Sequence, residues 1–365
     1  MLARERQRRL LGAMADAGIE HVVLYGNAWQ GDYLRYATNF GILEGHGIVV
    51  VSSDGAIELF LDSATEAERA ESEAPENKIN FAADIARAVA ARLDRAANRR
   101  LAAAPRRFLP SWLADNARGF VLEDATALLD RLLLHKLPAE IAALRRAAQM
   151  ADDAYAVFRE AVRPGRRQYE IVADIEAYLR RQGCPDNFMI IGSGGTDVLG
   201  MTPPSERRIL SGDLVTTELT PAVEGYFAQI CRTLVVGRAT AAQRRVFDVF
   251  REALAAGIAA VRPGATAADV ARAENDVFRK YGLGDYTTSK WTRVRGHGLG
   301  LFCDSKPHLL EDVDTPLTPG MALIVHPNTY HPEVGYIVLG DAVVVTQKGA
   351  EVLCRTPREL FEVAA

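Results

Sequence analysis

The sequence predicts an α/β (α+β) protein of two domains, and three observations support this prediction. The chain has 365 residues, which is long for a single hydrophobic core and short for three domains. Segments typical of helices and strands alternate over residues 1–130. The remainder, residues 131–365, contains an internal repeat, which indicates a domain built from two duplicated units.

The composition argues against several classes of function. The 43 basic and 47 acidic residues nearly balance, so nothing favours a nucleic acid or an anionic membrane as partner. No apolar run approaches the roughly 18 residues of a membrane span, and the N-terminus predicts an amphipathic helix rather than a signal peptide. The four cysteines form no CxxC pair, and we therefore expect a reducing, cytoplasmic location.

The first 130 residues predict a small α/β domain. A first helix ends at Gly18 and leads into the strand "HVVLYG". The strands "GIVVV" and "AIELFL" flank "SSDG", a sequence typical of a hairpin turn. An Ala/Arg-rich helix is expected around residues 82–98, and a long amphipathic helix opens the second domain after a boundary near residue 130.

The internal repeat relates two segments that each lie between a helix and a group of strands. "VRPGRRQYEIVADIEAYLRRQG" at residues 162–183 is echoed by "VRPGATAADVARAENDVFRKYG" at residues 261–282. The strands that follow repeat as well, since a glycine in "SGDLVTTE" and one in "PGMALIVH" each precede a polar residue by six positions. Strand residues six apart lie on one face, so these polar residues, Glu218 and His326, are expected at equivalent places in two pseudo-symmetric halves.

A crevice between two such halves is a usual place for a ligand, and five polar side chains are expected to converge there. They are Glu218, Gln229, Cys231, His297 and His326. The two histidines can move protons near neutral pH, and Glu218 can orient one of them or hold a substrate cation. Cys231 is either a nucleophile activated by a histidine or a small buried hydrophobic residue. Arg232 and Asp304 either bind substrate or have a structural role.

Several motifs resemble the "pita-bread" family that includes creatinase, aminopeptidase P, prolidase and methionine aminopeptidase. The matching pieces are "GDLV" with "GYFAQICRTLVVG", "GHGLGL" with Pro307, and "LTPGMALIVHPNTY" with "GDAVVVTQKG". The resemblance covers about residues 135–350 well, and residues 1–130 resemble the creatinase-type N-terminal domain more loosely. It implies a pita-bread fold for residues 131–365.

The resemblance also implies where metal ligands would lie. Metallopeptidases of this family hold two metal ions with two Asp, one His and two Glu, and the matching positions here are Glu218, Gln229, His297, His326 and Gly340. Gln229 has no charge and Gly340 has no side chain, so the bridging carboxylates are missing and no dinuclear centre or other cofactor is expected. A second family His is matched by Asp304, and an upstream His is matched by Met201.

The function expected on this basis is that of a metal-independent hydrolase or lyase that cleaves a C–N bond of a small amino-acid-like substrate, as creatinase does. His297, His326, Glu218 and Cys231 would be catalytic, and Gln229, Arg232, Asp304 and Met201 would bind substrate. Met201 and Cys231, however, match the His and one gripping Glu of creatinase. Two alternatives remain: a mononuclear metal-dependent peptidase with Glu218, His297 and His326 as ligands, and an inactive peptide-binding module.

Creatinase-like proteins with this N-terminal domain are typically homodimers in which an N-terminal loop of one subunit closes the pocket of the other. The loop that matches this position follows "YATNFG" and reads "ILEGHG". The resemblance therefore implies a homodimer in which Glu44 or His46 contacts substrate bound to the second subunit.

Overall fold

The fold is described from a computed structural model, which covers residues 2–94, 100–111 and 122–365. The chain divides into two compact units, Met1–Leu133 and Leu134–Ala365. The boundary expected near residue 130 lies within a helix that spans Thr126–Leu134. None of the described helices is both long enough and apolar enough to cross a membrane.

The first unit consists of a mixed six-stranded sheet and its helices. The helices are α1 (Leu2–Ala17), α2 (Asp32–Thr38), α3 (Ala64–Glu73), α4 (Ile85–Asp94) and α5 (Thr126–Leu134). The strands are β1 (His21–Asn27), β2 (His46–Ser52), β3 (Ile57–Leu61), β4 (Lys78–Phe81), β5 (Leu101–Ala104) and β6 (Leu122–Asp124). The strand order across the sheet is β4-β3-β2-β1-β5-β6.

The local signals of the first unit form the elements that they predict. Strands β2 and β3 pair antiparallel around the "SSDG" turn, where Gly55 has a φ of 92° that a residue with a side chain rarely adopts. Alternate residues of β1 and β2, such as Val23, Ile48 and Val50, are buried together against helix α4. The helix expected over residues 82–98 is α4, and residues 95–98 of that prediction lie outside the described residues.

The second unit has four long helices and a large sheet. The helices are α6 (Pro138–Ala161), α7 (Gln168–Arg181), α8 (Ala241–Ala260) and α9 (Ala267–Lys280). The strands are β7 (Asn187–Gly194), β8 (Leu214–Val223), β9 (Tyr226–Phe227), β10 (Ile230–Val236), β11 (Gly296–Gly298), β12 (Ser305–His308), β13 (Ala322–Val325), β14 (Thr329–His331), β15 (Gly335–Ile337), β16 (Gly340–Thr346), β17 (Gly349–Val352) and β18 (Phe361–Val363).

The large sheet joins the two halves of the repeat edge to edge. Its main path is β12-β11-β13-β16-β10-β8-β7, with β17 beside β16, β18 beside β10 and β9 beside β8. The halves meet where β10 and β16 pair antiparallel, with Cys231 opposite Gly340. Cys231 is also opposite Glu218 on β8, so residues from both halves lie side by side at the centre of the sheet.

The sequence repeat is present in the backbone. Helices α6 and α8 each end one residue before a "VRPG" segment, and the helices that follow, α7 and α9, have 14 residues each. Gly212 and Gly320 occupy matching turns with φ values of 89° and 92°, each two residues before a strand. The duplicated domain expected from the sequence is therefore the architecture of this unit.

Candidate functional site

A cavity of about 530 Å³ in the second unit contains most of the predicted site residues. Glu218, Gln229, His297 and His326 line it, and so do Met201 and Asp304. Aromatic walls are formed by Phe188, Trp291, Phe302 and Tyr336. A concave, largely apolar pocket with a few convergent polar groups is the usual form of a site for a small ligand.

The strands of the large sheet bring these side chains together. Glu218 is on β8, Gln229 immediately precedes β10, and His297 is on β11. His326 follows the last residue of β13, and β13 is paired with both β11 and β16. The convergence expected from the six-residue spacing after Gly212 and Gly320 is therefore found for Glu218 and His326.

Glu218 is a buried carboxyl group at the wall of the cavity. Its Oε1 accepts a hydrogen bond from Nδ2 of Asn328, at 2.8 Å. Burial raises the pKa of Glu218 to about 7, although hydrogen bonds with Cys231 and Asn328 oppose this shift. The group therefore changes its charge near neutral pH, which suits it either to hold a cation or to exchange a proton.

The two histidines lie next to each other at the cavity wall and are buried in their neutral forms. Their ring centroids are 5.6 Å apart and the rings are nearly perpendicular. Burial lowers the pKa of His297, and burial together with the neighbouring His297 lowers the pKa of His326 to about 3. Nδ1 of His297 is 3.0 Å from the Gly298 carbonyl, to which it donates, so that Nε2 retains its lone pair.

Asp304 is held as a carboxylate by its neighbours. Its oxygens accept hydrogen bonds from Arg293 at 2.6 Å and from His308 at 3.2 Å, and Nδ1 of His297 is 3.8 Å away. Burial alone would raise its pKa, but the His308 hydrogen bond and electrostatic interactions with His297 and Arg293 lower the pKa of Asp304 to about 2. Asp304 is therefore ionised near neutral pH, at the side of the cavity where His297 lies.

Cys231 is not placed as a nucleophile. Its side chain is fully buried and is not among the residues that line the cavity. Burial raises the pKa of its thiol well above the ordinary value, and the neighbouring Glu218 raises it further. A thiol in such surroundings is inert, so the alternative of a small buried residue describes Cys231 better than the nucleophile does.

Arg232 has a structural role rather than a substrate-binding role. The side chain is fully buried, and Nη2 donates to Asp341 Oδ1 at 2.7 Å and to the Thr356 carbonyl at 2.7 Å. Nη1 donates to the carbonyls of Cys231 and Gly340. These contacts join β10 to β16 and to the C-terminal segment, and Arg232 is not among the residues that line the cavity.

The two residues expected to act in a second subunit lie in the first unit. Glu44 accepts a hydrogen bond from Ser63 Oγ at 2.8 Å, and His46 Nδ1 is 2.7 Å from the hydroxyl of Tyr25. Their contact with substrate stays a prediction.

Sequence reasoning missed Asn328, Trp291 and Lys290. Asn328 lines the cavity, and its position two residues after His326 in "HPNTY" was the available signal. Trp291 stacks on Tyr330 with ring centroids 4.8 Å apart, and Nζ of Lys290 lies 4.6 Å from the Trp291 ring centroid. Nothing in the local sequence distinguishes this loop from an ordinary surface connection.

The donor set at the five matched positions differs from that of the two-metal centre of the family. Glu218 is the only carboxylate among the five matched positions, and a Cβ built on Gly340 would lie 2.6 Å from the Cβ of His326. His326 thus fills the space beside the bare backbone of Gly340. Across residues 2–94, 100–111 and 122–365, no group of three or more His, Cys, Asp and Glu side chains is arranged to hold a metal ion.

Comparison with known proteins identifies the family. The model of metallopeptidase family M24 matches residues 142–347, which is more than half of the chain. This chain belongs to metallopeptidase family M24. The match begins within helix α6 and ends after strand β16, so it includes every residue that lines the cavity.

Relatives and solved structures in this family are named as peptidases. The Xaa-Pro dipeptidase of Pyrococcus furiosus is 32% identical over 232 residues, which cover 63% of this chain and 66% of that protein. A probable dipeptidase PepE of Mycobacterium bovis is 32% identical over 253 residues, or 69% of this chain and 66% of that protein. The chain thus spans about two thirds of the length of these curated relatives.

The fold extends over the whole chain. The structure of an Xaa-Pro dipeptidase from Bacillus anthracis has a TM-score of 0.85 and 28% identity, and the match covers 99% of this chain and 100% of that one. Dipeptidase PepE from Mycobacterium ulcerans has a TM-score of 0.84 and 27% identity, over 100% and 98% of the two chains. The predicted pita-bread fold is confirmed.

The expected function is wrong. A metal-independent, creatinase-like hydrolase or lyase of a non-peptidase type was expected from the replaced ligand positions, but the relatives named above are dipeptidases. Replacement of ligand residues at five positions does not by itself determine the reaction class, whereas the similarity extends over residues 142–347 and over the whole fold. These names favour the alternative of a peptidase of the aminopeptidase P type.

Proposed function

We propose that this chain is a peptidase-type hydrolase that cleaves the amide bond of a short peptide in the cavity lined by Glu218, His297 and His326. One observation carries the proposal: the region that matches metallopeptidase family M24 encloses a cavity with three buried, titratable side chains. The names of relatives such as the Xaa-Pro dipeptidase of Pyrococcus furiosus suggest dipeptides as the substrate class.

The described side chains have complementary roles in this proposal. Nε2 of His297 takes a proton from the water molecule that attacks the amide carbon and returns it to the leaving amine, because Nδ1 is engaged with the Gly298 carbonyl. Glu218 binds the amino end of the peptide, and the aromatic walls enclose its side chain. The donor set does not fit the two-metal centre of the family, because Glu218 is its only carboxylate.

The test measures release of proline from alanyl-proline, and release of the C-terminal amino acid from a panel of other dipeptides. The protein is assayed as purified, after chelation, and after addition of Mn²⁺ or Zn²⁺. The variant His297→Ala should lose turnover, whereas His331→Ala, which changes a histidine outside the cavity, should retain it. Absence of product from every peptide in all metal conditions would contradict hydrolysis.

A second candidate function is peptide binding without hydrolysis. The observation that favours it is the neutral Gln229 and the side-chain-free Gly340 at positions that match carboxylate ligands of the family. Calorimetric titration with the same dipeptides separates the two candidates. Saturable binding without product in any metal condition would favour the binding module.

The homodimer and the cytoplasmic location belong to this proposal as predictions. A dimer would allow Glu44 or His46 to reach a ligand in the second copy. Light scattering at micromolar concentration tests the assembly, and a monomer would remove the basis for that role.

A further inference from the structure

Glu218 is a buried acid for which the described part of the chain provides no ion-pair partner. Its exposed fraction is 8%, and it lines the cavity. Among the described residues, no lysine, arginine or histidine forms an ion pair with it, in contrast to Asp304, which pairs with Arg293. Burying a carboxylate without a partner is costly, so a cationic group of a ligand would offset that cost.

Asn328 holds the Glu218 carboxyl group in a defined orientation. Its Oδ1 accepts a hydrogen bond from the backbone N–H of Leu339 at 3.1 Å, and its Nδ2 donates to Glu218 Oε1 at 2.8 Å. The amide cannot rotate by half a turn, because its NH₂ group would then face the Leu339 N–H. The donor is therefore permanently directed at Glu218.

The backbone of Asn328 is held as firmly as its side chain. Its N–H donates to the His326 carbonyl at 2.7 Å, and its carbonyl accepts from Nη1 of Arg295 at 3.0 Å. Nε of the buried Arg295 donates to Oδ1 of Asn275 on helix α9, at 2.6 Å. A chain of buried hydrogen bonds thus runs from helix α9 through Arg295 and Asn328 to Glu218.

We propose that Asn328 is a positioning residue that holds the Glu218 carboxylate for recognition of the ammonium group of a peptide ligand. The choice of a peptide rests on the proposed function, but hydrolysis is not required. Asn328 does not contact the ammonium group in this arrangement. It acts through Glu218, by holding Oε1 of that carboxyl group in place at the cavity wall.

The experiment compares two non-hydrolysable probes by calorimetric titration. One is the ketomethylene isostere of alanyl-proline with a free amino group, and the other is the same compound N-acetylated. The wild-type chain should prefer the free amine by at least about tenfold, as expected for a charged hydrogen-bonding pair. Asn328→Ala should reduce this preference to near unity, and so should Glu218→Gln. The variant that combines both substitutions should show no further loss of the preference.

Two further variants separate positioning from a structural role. Glu218→Asp keeps the charge but withdraws it from Nδ2 of Asn328. It should therefore also lose the preference for the free amine. This variant tests the proposal even if Asn328→Ala does not fold. Asn187 provides a matched control, since its Oδ1 accepts from the Thr220 N–H and its Nδ2 donates to Glu176 outside the cavity. Asn187→Ala should keep the wild-type preference.

Three outcomes would overturn the proposal. The first is that neither probe binds the wild-type chain at millimolar concentration, or that both bind equally. The second is that folded Asn328→Ala weakens both probes to the same degree, which a purely structural role would produce. The third is a full preference in Glu218→Asp. Neither probe can be hydrolysed, so these binding measurements test the role of Asn328 even if the protein cleaves no peptide.

Discussion

The two halves of the second unit have the same frame but different chemistry at equivalent positions. The first half runs from α6 to β10 and the second from α8 to β16. In both, a long helix, a "VRPG" segment and a 14-residue helix precede a strand that begins two residues after a glycine of positive φ. Six residues after that glycine, the first half has Glu218 and the second has His326.

Burial acts on these equivalent residues in opposite directions. It raises the pKa of Glu218 to about 7 and lowers the pKa of His326 to about 3, because it disfavours the charged form of either group. The duplicated backbone thus determines where the two side chains lie, whereas their chemical type determines how they respond to the same environment. A repeat in sequence therefore predicts a site without predicting its reaction.

Substitution where the two halves meet, at the paired strands β10 and β16, is expected to have the largest effect on stability. Asp341→Asn removes the buried partner of Arg232 and leaves that guanidinium charge uncompensated, at a cost of about 3–5 kcal/mol in the free energy of unfolding. Urea denaturation measures this cost. The control is Glu351→Gln, which breaks the half-exposed pair with Arg145 and should cost less than about 1 kcal/mol. Equal effects of the two variants would show that the buried Arg232–Asp341 pair is no more important for stability than the half-exposed pair.

The opposite pKa shifts should produce opposite pH dependences of stability. The folded state binds the Glu218 proton more tightly than the unfolded state, so this contribution is present below pH 4.5 and is lost as the pH rises through about 7. Its size is up to about 3 kcal/mol, since one pKa unit corresponds to about 1.4 kcal/mol. Burial of neutral His326 contributes stability above pH 6.5 that is lost as the pH falls toward 3.

The measurement is the difference in unfolding free energy between the wild type and each variant across this pH range. The wild type should lose stability relative to Glu218→Gln as the pH rises, and relative to His326→Gln as the pH falls. Two difference curves with the same sign of slope would contradict the assignment of the shifts to burial.

The helix caps should give the smallest effect and should again differ between the halves. Thr266 Oγ1 accepts a hydrogen bond from the Asp269 N–H at the start of α9, whereas the side chain of Arg167 makes no such bond at the start of α7. Thr266→Ala should lower the free energy of unfolding by about 1 kcal/mol. Arg167→Ala should change it by less than about 0.5 kcal/mol, and thermal denaturation compares the two.

Much of the fold was predictable because its signals are local. The "SSDG" turn, the glycines at 212 and 320 and the periodic apolar positions each depend on neighbours within a few residues. The internal repeat also allowed a prediction about residues far apart in the sequence, since equal spacing placed Glu218 and His326 on equivalent strands. The same spacing did not show that Cys231 lies beneath the cavity wall, because the face of a central strand that reaches a ligand depends on packing.

The sequence by itself predicted the α/β fold, the duplicated second domain and the equivalent positions of Glu218 and His326. These follow from chain-local patterns and from spacing along the strands. The tertiary structure alone decided that Arg232 binds Asp341 rather than a ligand, that burial keeps both histidines neutral, and that Asn328 orients Glu218. The physical reason is that hydrogen-bond partners and desolvation come from segments more than one hundred residues away, as for Asn328 and Glu218, which are 110 positions apart.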